Sequence, residues 1–209
     1  MKKLYIALLA CFFVASNLSA QNDPEAKKIL DGVSAKVKSA KAITASITLK
    51  SITSKGKANG TKTGTLSIKG EKYLLKQGKT EITCDGSKVY NYDGNKTITV
   101  TTVEENGSTL SPQKLLSGSY DKDFTYKVVS TKGGFYEIEM KPIDKRKNFQ
   151  TVNLFVDKAK SLITKALIVD KSNNSTELAI SNVNLNANVA DNLFVFTKGR
   201  YPTDVEILD

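Results

Sequence analysis

The residues able to do chemistry are few in this 209-residue chain, and no catalytic set can be assembled from them. Histidine and tryptophan are both absent. Without histidine there is no Ser-His-Asp or Cys-His arrangement, no ready general base near neutral pH, and no donor set for most zinc or non-haem iron sites. Cys84 stands in Ile82-Thr83-Cys84 on the apolar parity of a strand, where a thiol is buried and inert rather than nucleophilic. Asp121 with Asp123, and Glu137 with Glu139, share strand parity within each pair but have no acid-base or metal partner. The chain therefore reads as a binding protein and not an enzyme, with no cofactor and no metal.

Charge is the next candidate for chemistry. There are 31 Lys plus Arg against 21 Asp plus Glu, a formal net charge of +10. Residues 21–96 carry 15 Lys against 7 acids, whereas residues 97–209 carry 14 basic and 14 acidic residues. The positives are nearly all lysine, scattered at turns, with no aromatic-arginine platform of the kind that binds single-stranded nucleic acid, so no nucleic-acid partner is expected. Lys55, Lys57 and Lys62 in the basic part, and the compact loop Lys145-Arg146-Lys147 after Pro142, are the candidate docking residues for an anionic membrane surface or an acidic partner.

The elements that must position these residues begin with a leader. Lys2 and Lys3 precede an apolar run from Leu4 to Ala15, which ends at Ser16-Asn17, short of the ~20 residues a membrane span requires. Ala20 supplies the small residue before a cleavage site, so residues 1–20 are expected to be a signal peptide and residues 21–209 a single exported domain. Leu8-Leu9-Ala10-Cys11 is similar to a bacterial lipobox, and acylation of Cys11 would instead give a lipid-anchored form. With the leader removed, Cys84 is the one cysteine left and no intramolecular disulfide forms.

Asp23-Pro24 is a helix start, an N-cap acid followed by proline at the first helical position. Ala26, Ile29, Leu30, Val33, Val37 and Ala40 follow at helical spacing, with lysines on the other face. From Ala42 the period changes to two, and Ile43, Ala45, Ile47 and Leu49 alternate with polar residues. Gly70, Gly78, Gly86 and Gly94 then recur every eight residues, with Asp85-Gly86 and Asp93-Gly94 as hairpin signals, which predicts an antiparallel meander. The pattern breaks over residues 104–123, where Asn106-Gly107 marks a turn and Ser111-Pro112 opens a short helix through Gln113-Lys114-Leu115-Leu116. Strands resume at Phe124. The expected fold is mainly β: an incomplete antiparallel barrel of about ten or eleven strands, with the N-terminal amphipathic helix and the short mid-chain helix over its open side.

The order of these elements and several short motifs resemble the LolA family of periplasmic lipoprotein carriers. Gly64-x-Leu66-x-Ile68-Lys69 resembles the family's second strand, and Asp85-Gly86-Ser87-Lys88-Val89-Tyr90-x-Tyr92 its following hairpin. Ser111-Pro112-x-x-Leu115-Leu116 is similar to the start of its lid helix, and Ala190-Asp191-x-Leu193-Phe194-x-Phe196 to its closing strand. The resemblance covers nearly all of the mature chain. It implies an apolar cavity beneath the helices that takes lipoprotein acyl chains from an inner-membrane ABC lipoprotein-releasing transporter and ferries them through the periplasm to an outer-membrane acceptor. Two features depart from the family. Gly70 occupies the place of an arginine that holds the lid shut, and Lys198-Gly199-Arg200-Tyr201 precedes Pro202 where the family finish is richer in proline.

A carrier needs inward-facing apolar side chains. The candidates are Ile29, Leu30, Val33, Ile47, Leu49, Leu66, Ile68, Tyr73, Leu75, Ile82, Tyr90, Leu115, Phe124 and Tyr126. The expected protein is a monomeric periplasmic carrier of acylated lipoproteins. Its alternatives are a lipid-anchored acceptor, another lipid- or glycolipid-binding protein of the same fold, and an envelope sensor or interaction module.

Overall fold

A computed structural model describes residues 22–103, 110, 114, 115 and 120–209. The expected leader 1–20, Cys11, the Asn106-Gly107 turn and Ser111, Pro112, Gln113 and Leu116 lie outside the described residues; Lys114 and Leu115 are helical.

Helix α1 spans Pro24–Ser39 and starts where the sequence places it. Asp23 is extended and its side chain accepts the Glu25 N–H, while Lys36 and Lys38 sit in the last turn, where they complement the helix dipole. Ala26, Leu30 and Val33 are buried. The strands follow as β1 (Ile43–Ile52), β2 (Ala58–Lys69), β3 (Lys72–Gln77), β4 (Thr80–Cys84), β5 (Lys88–Tyr92) and β6 (Thr97–Thr102). After the break come β7 (Phe124–Ser130), β8 (Phe135–Pro142), β9 (Phe149–Asp157), β10 (Leu162–Asp170), β11 (Ser175–Asn184) and β12 (Glu206–Leu208).

These strands form one open sheet in the order β12-β6-β5-β4-β3-β2-β1-β11-β10-β9-β8-β7. Every pairing is antiparallel except β12 with β6, so β2 to β6 is the meander read from the glycine spacing. Gly70, Gly78, Gly86 and Gly94 all take positive φ at its turns. Gly64 serves a different purpose, because a Cβ there would overlap the Lys76 carbonyl oxygen of the neighbouring strand. β2 runs past the end of β3 at that point, pairing β1 as far as Ala58 while β3 pairs only Thr65–Lys69.

Two sequence expectations differ from the structure. The closing strand expected over Ala190–Phe196 is a 3-10 turn, Asp191–Phe194, because Phe194 is drawn fully into a small cluster with Ala42, Leu74 and Val189. A twelfth strand is present beyond the expected ten or eleven. It is β12, three residues long, and its parallel pairing with β6 depends on a partner more than a hundred residues away.

A candidate lipid-binding face

Because cross-strand partners share a face, the register sorts the side chains into an inner face, which carries α1, and an outer face. Leu49 pairs with Leu178, Leu178 with Ala166, Ala166 with Leu154, Leu154 with Ile138 and Ile138 with Val128. This is an apolar row across six adjacent strands. A second row runs the other way, with Ala45 opposite Leu66, Leu66 opposite Leu75 and Leu75 opposite Ile82. Leu30 and Val33 of α1 pack into the same cluster, with Leu115, Tyr120, Phe124 and Tyr126 closing it beside β7.

The structure brings the candidate lining residues together with one exception. Leu30, Val33, Ile47, Leu66, Ile68, Tyr73, Leu115, Phe124 and Tyr126 are buried in this cluster, and Ile29, Leu49, Leu75 and Ile82 are half-buried against it. Tyr90 lies elsewhere. It pairs with Thr83, so it faces outward, and its ring stacks on Phe196 at 4.4 Å between centroids. Cys84 is buried on the inner face opposite Tyr73 and Val89, and burial pushes its thiol pKa up. Among the described residues no cluster of His, Cys, Asp and Glu could hold a metal ion.

Polar contacts hold α1 over this face at both ends. At its N-terminus the Asp23 N–H donates to the Tyr126 carbonyl at 3.1 Å, Asn22 Oδ1 accepts the Tyr126 N–H at 2.9 Å and Asp23 Oδ2 accepts the Val128 N–H at 2.9 Å. The residues before the helix thus satisfy the free edge of β7, which would otherwise template unwanted strand pairing. The Val128 N–H is the main cause that holds the Asp23 carboxyl below its usual pKa. Lys27 bridges Asp31 at 3.2 Å and Asp121 at 3.1 Å, and the Tyr126 hydroxyl donates to Asp121. Burial and this bond to a carboxylate push the Tyr126 pKa up to about 12. At the other end Lys36 Nζ donates to the Lys160 carbonyl.

The position that departs from the family pattern is a turn. Gly70 has φ +59° between the paired Lys69 and Lys72, where an L side chain such as arginine would be strained. The lysine before it points to the outer face, and Lys69 Nζ binds Asp191 at 2.8 Å and the Val189 carbonyl at 3.3 Å. Both arginines of the chain are engaged by carboxylates. Arg146 clasps Asp144 through Nε at 3.0 Å and Nη2 at 2.9 Å, which holds that carboxyl at about 2. Arg200 reaches Glu81 at 3.4 Å.

Glu81 is a residue that sequence reasoning missed. Its side chain is only 12% exposed and receives the Tyr201 hydroxyl at 2.8 Å, Lys76 at 3.1 Å and the Thr83 hydroxyl at 3.1 Å. Burial raises the Glu81 pKa, but the Tyr201 hydroxyl, Lys76 and Arg200 outweigh it and leave it lowered. The residues around Tyr201 are thereby strapped to the outer face of β4–β6, over Tyr90, Tyr92, Ile98 and Val100. No local signal marks this site, since Glu81 and Tyr201 are 120 residues apart.

The docking candidates are all exposed except Lys147, which is half-buried. Lys55 and Lys57 lie in the β1–β2 turn, Lys62 pairs with Leu49 at the rim of the inner face, and Lys145–Lys147 form the β8–β9 turn.

The model for outer membrane lipoprotein carrier protein LolA matches residues 38–197. Among solved structures, an uncharacterized conserved protein from Thermus thermophilus aligns at 11% identity over 88% of this chain and 98% of its own, with a TM-score of 0.56. A DUF1329 family protein from Desulfovibrio piger aligns at 13% identity over 84% and 98%, with a TM-score of 0.51. A LolA superfamily protein from Nitrosomonas europaea aligns at 12% identity over 84% and 99%, with a TM-score of 0.49. No relative is matched among curated proteins. Since the family model covers most of the chain, this protein belongs to the LolA family of outer membrane lipoprotein carrier proteins.

Proposed function

We propose that this protein is a periplasmic carrier that shields lipoprotein acyl chains on the inner face under α1, receiving them from an ABC transporter in the inner membrane and releasing them to an acceptor at the outer membrane. An acyl chain in water costs on the order of 0.8 kcal/mol per CH₂, so it leaves a bilayer unaided only slowly. A carrier must offset most of that by burial and still let go.

One observation carries the reading. α1 lays Leu30 and Val33 on an apolar row that crosses six strands, with Asp23 bonded to β7 at one end and Lys36 to the Lys160 carbonyl near the other. A helix seated largely through apolar side chains can swing off such a face, and the face it leaves is the one an acyl chain would occupy. The half-buried lining residues Ile29 on α1 and Leu49, Leu75 and Ile82 on the sheet are the ones nearest to solvent, and therefore those an incoming chain would meet first.

Uptake of a fluorescent fatty acid by the purified protein tests this. Saturable binding that falls on Leu49→Asp and Ile82→Asp, while thermal unfolding shows both variants folded, supports the reading. Absence of uptake, or uptake indifferent to both substitutions, refutes it.

A further inference from the structure

The strand register places three turns at one end of the sheet. Ile52 pairs with Ala58 and Ser175, and Asp170 pairs with Phe149, so the β1–β2, β10–β11 and β8–β9 turns point the same way. They are also tied together. The Ser54 N–H donates to Asn174 Oδ1 at 3.0 Å, the Lys171 N–H to the Asn148 carbonyl at 3.2 Å and Lys171 Nζ to the Lys145 carbonyl at 2.8 Å. The two basic sets, separated by some eighty residues of sequence, thus share one rim.

Three features give this rim a definite chemistry. First, the Nζ groups of Lys55, Lys57, Lys62 and Lys145 face solvent, and no hydrogen bond or ion pair of the described residues engages them. Second, its acids are already occupied. Asp144 is clasped by Arg146, and Asp170 accepts from the Ser172 N–H, the Asn174 N–H and Asn174 Nδ2 at 2.8, 2.8 and 2.9 Å. Third, Ile143, in the same turn as Lys145, is 52% exposed, its N–H bonded to the Asp123 carbonyl. Free lysines on the same rim as an exposed aliphatic side chain suit a surface with phosphates outside and hydrocarbon just beneath. An acidic protein patch would leave Ile143 unused.

We propose that this end docks on an anionic phospholipid bilayer, Lys55, Lys57, Lys62 and Lys145 meeting headgroup phosphates and Ile143 entering the interface. The docked end is also the one where Lys62 borders Leu49, so the apolar face would open toward the membrane.

Flotation of the protein with vesicles tests it, using equal parts phosphatidylcholine and phosphatidylglycerol against phosphatidylcholine alone. Partitioning to the anionic vesicles is expected to fall about fivefold for each lysine removed at low salt, and so by well over tenfold in Lys55→Gln/Lys57→Gln/Lys145→Gln. Ile143→Ser should lower the part of the binding that survives added salt. The control Lys127→Gln/Lys132→Gln/Lys165→Gln removes as much charge from elsewhere, and should fall less than threefold. Equal loss in the two triple variants, or no preference for anionic vesicles in the parent protein, overturns the proposal. The fatty-acid uptake assay on the same variants separates this result from the carrier reading, because Lys55, Lys57, Lys145 and Ile143 lie in turns outside the acyl-binding face and uptake should be unchanged.

Discussion

Asp23 Oδ2 accepts the backbone N–H of Val128 at 2.9 Å while Oδ1 accepts that of Glu25 at the same distance. One carboxylate therefore caps α1 and closes the edge of β7. Asp23→Ala removes both acceptors and is expected to cost about 1–2 kcal/mol of stability. It should also speed amide hydrogen exchange in the first turn of α1 and at Val128. Urea unfolding and exchange measurements check the pair of effects.

The same bond has a pH dependence. The folded Asp23 carboxyl titrates below its ordinary value of 3.8, so its contribution is fully present above that value and is lost as pH falls through the folded pKa. Acid unfolding monitored by circular dichroism should show Asp23→Ala destabilised at pH 6, with the gap to the parent protein narrowing as pH falls below 3.8 through the folded pKa.

Tyr126 and Tyr201 both titrate at about 12, raised by burial and by bonds to Asp121 and Glu81. For a raised folded pKa the sign is reversed. Their contribution is complete below pH 10 and disappears as pH rises through 12. Absorbance titration of the phenolates should show Tyr126 and Tyr201 among the late-titrating tyrosines, and Tyr126→Phe and Tyr201→Phe should each remove one late phenolate. Tyr201→Phe should also cost about 1–3 kcal/mol, since it takes a donor from the largely buried Glu81 carboxylate.

Two glycines should respond with opposite signs. Gly64→Ala drives a methyl into the Lys76 backbone carbonyl, which cannot swing aside as a side chain would, and should destabilise by at least about 1–3 kcal/mol. Gly32 lies within α1 with nothing near its missing Cβ, so Gly32→Ala should stabilise by about 0.5–1 kcal/mol. Thermal unfolding of the two variants checks the contrast.

The parts of the fold that read directly from the sequence are local. Asp23-Pro24 marks the start of α1, and glycines every eight residues mark the meander, because capping and positive φ are decided within a few residues. Tyr90 departs from the expected inner face because Val89-Tyr90-Asn91-Tyr92 offers apolar or aromatic side chains at both parities. Choosing the face required knowing that Phe196 and Tyr201 cover the outside of β5, and they are more than a hundred residues away. Ala190–Phe196 resembles the family's closing strand, yet burial of Phe194 with Leu74 turns Asp191–Phe194 into a 3-10 turn. The shared rim of Lys55 and Lys145 depends on hydrogen bonds between turns of different hairpins, which no periodicity encodes.

The central claim is that the inner face carries acyl chains, and native mass spectrometry of the protein gently purified from the cell envelope tests it most directly. The account predicts recovery of a fraction with bound lipid or lipoprotein, released when Leu49 and Ile82 are replaced by Asp. Repeated recovery of empty protein that also fails to take up a fluorescent fatty acid would contradict it.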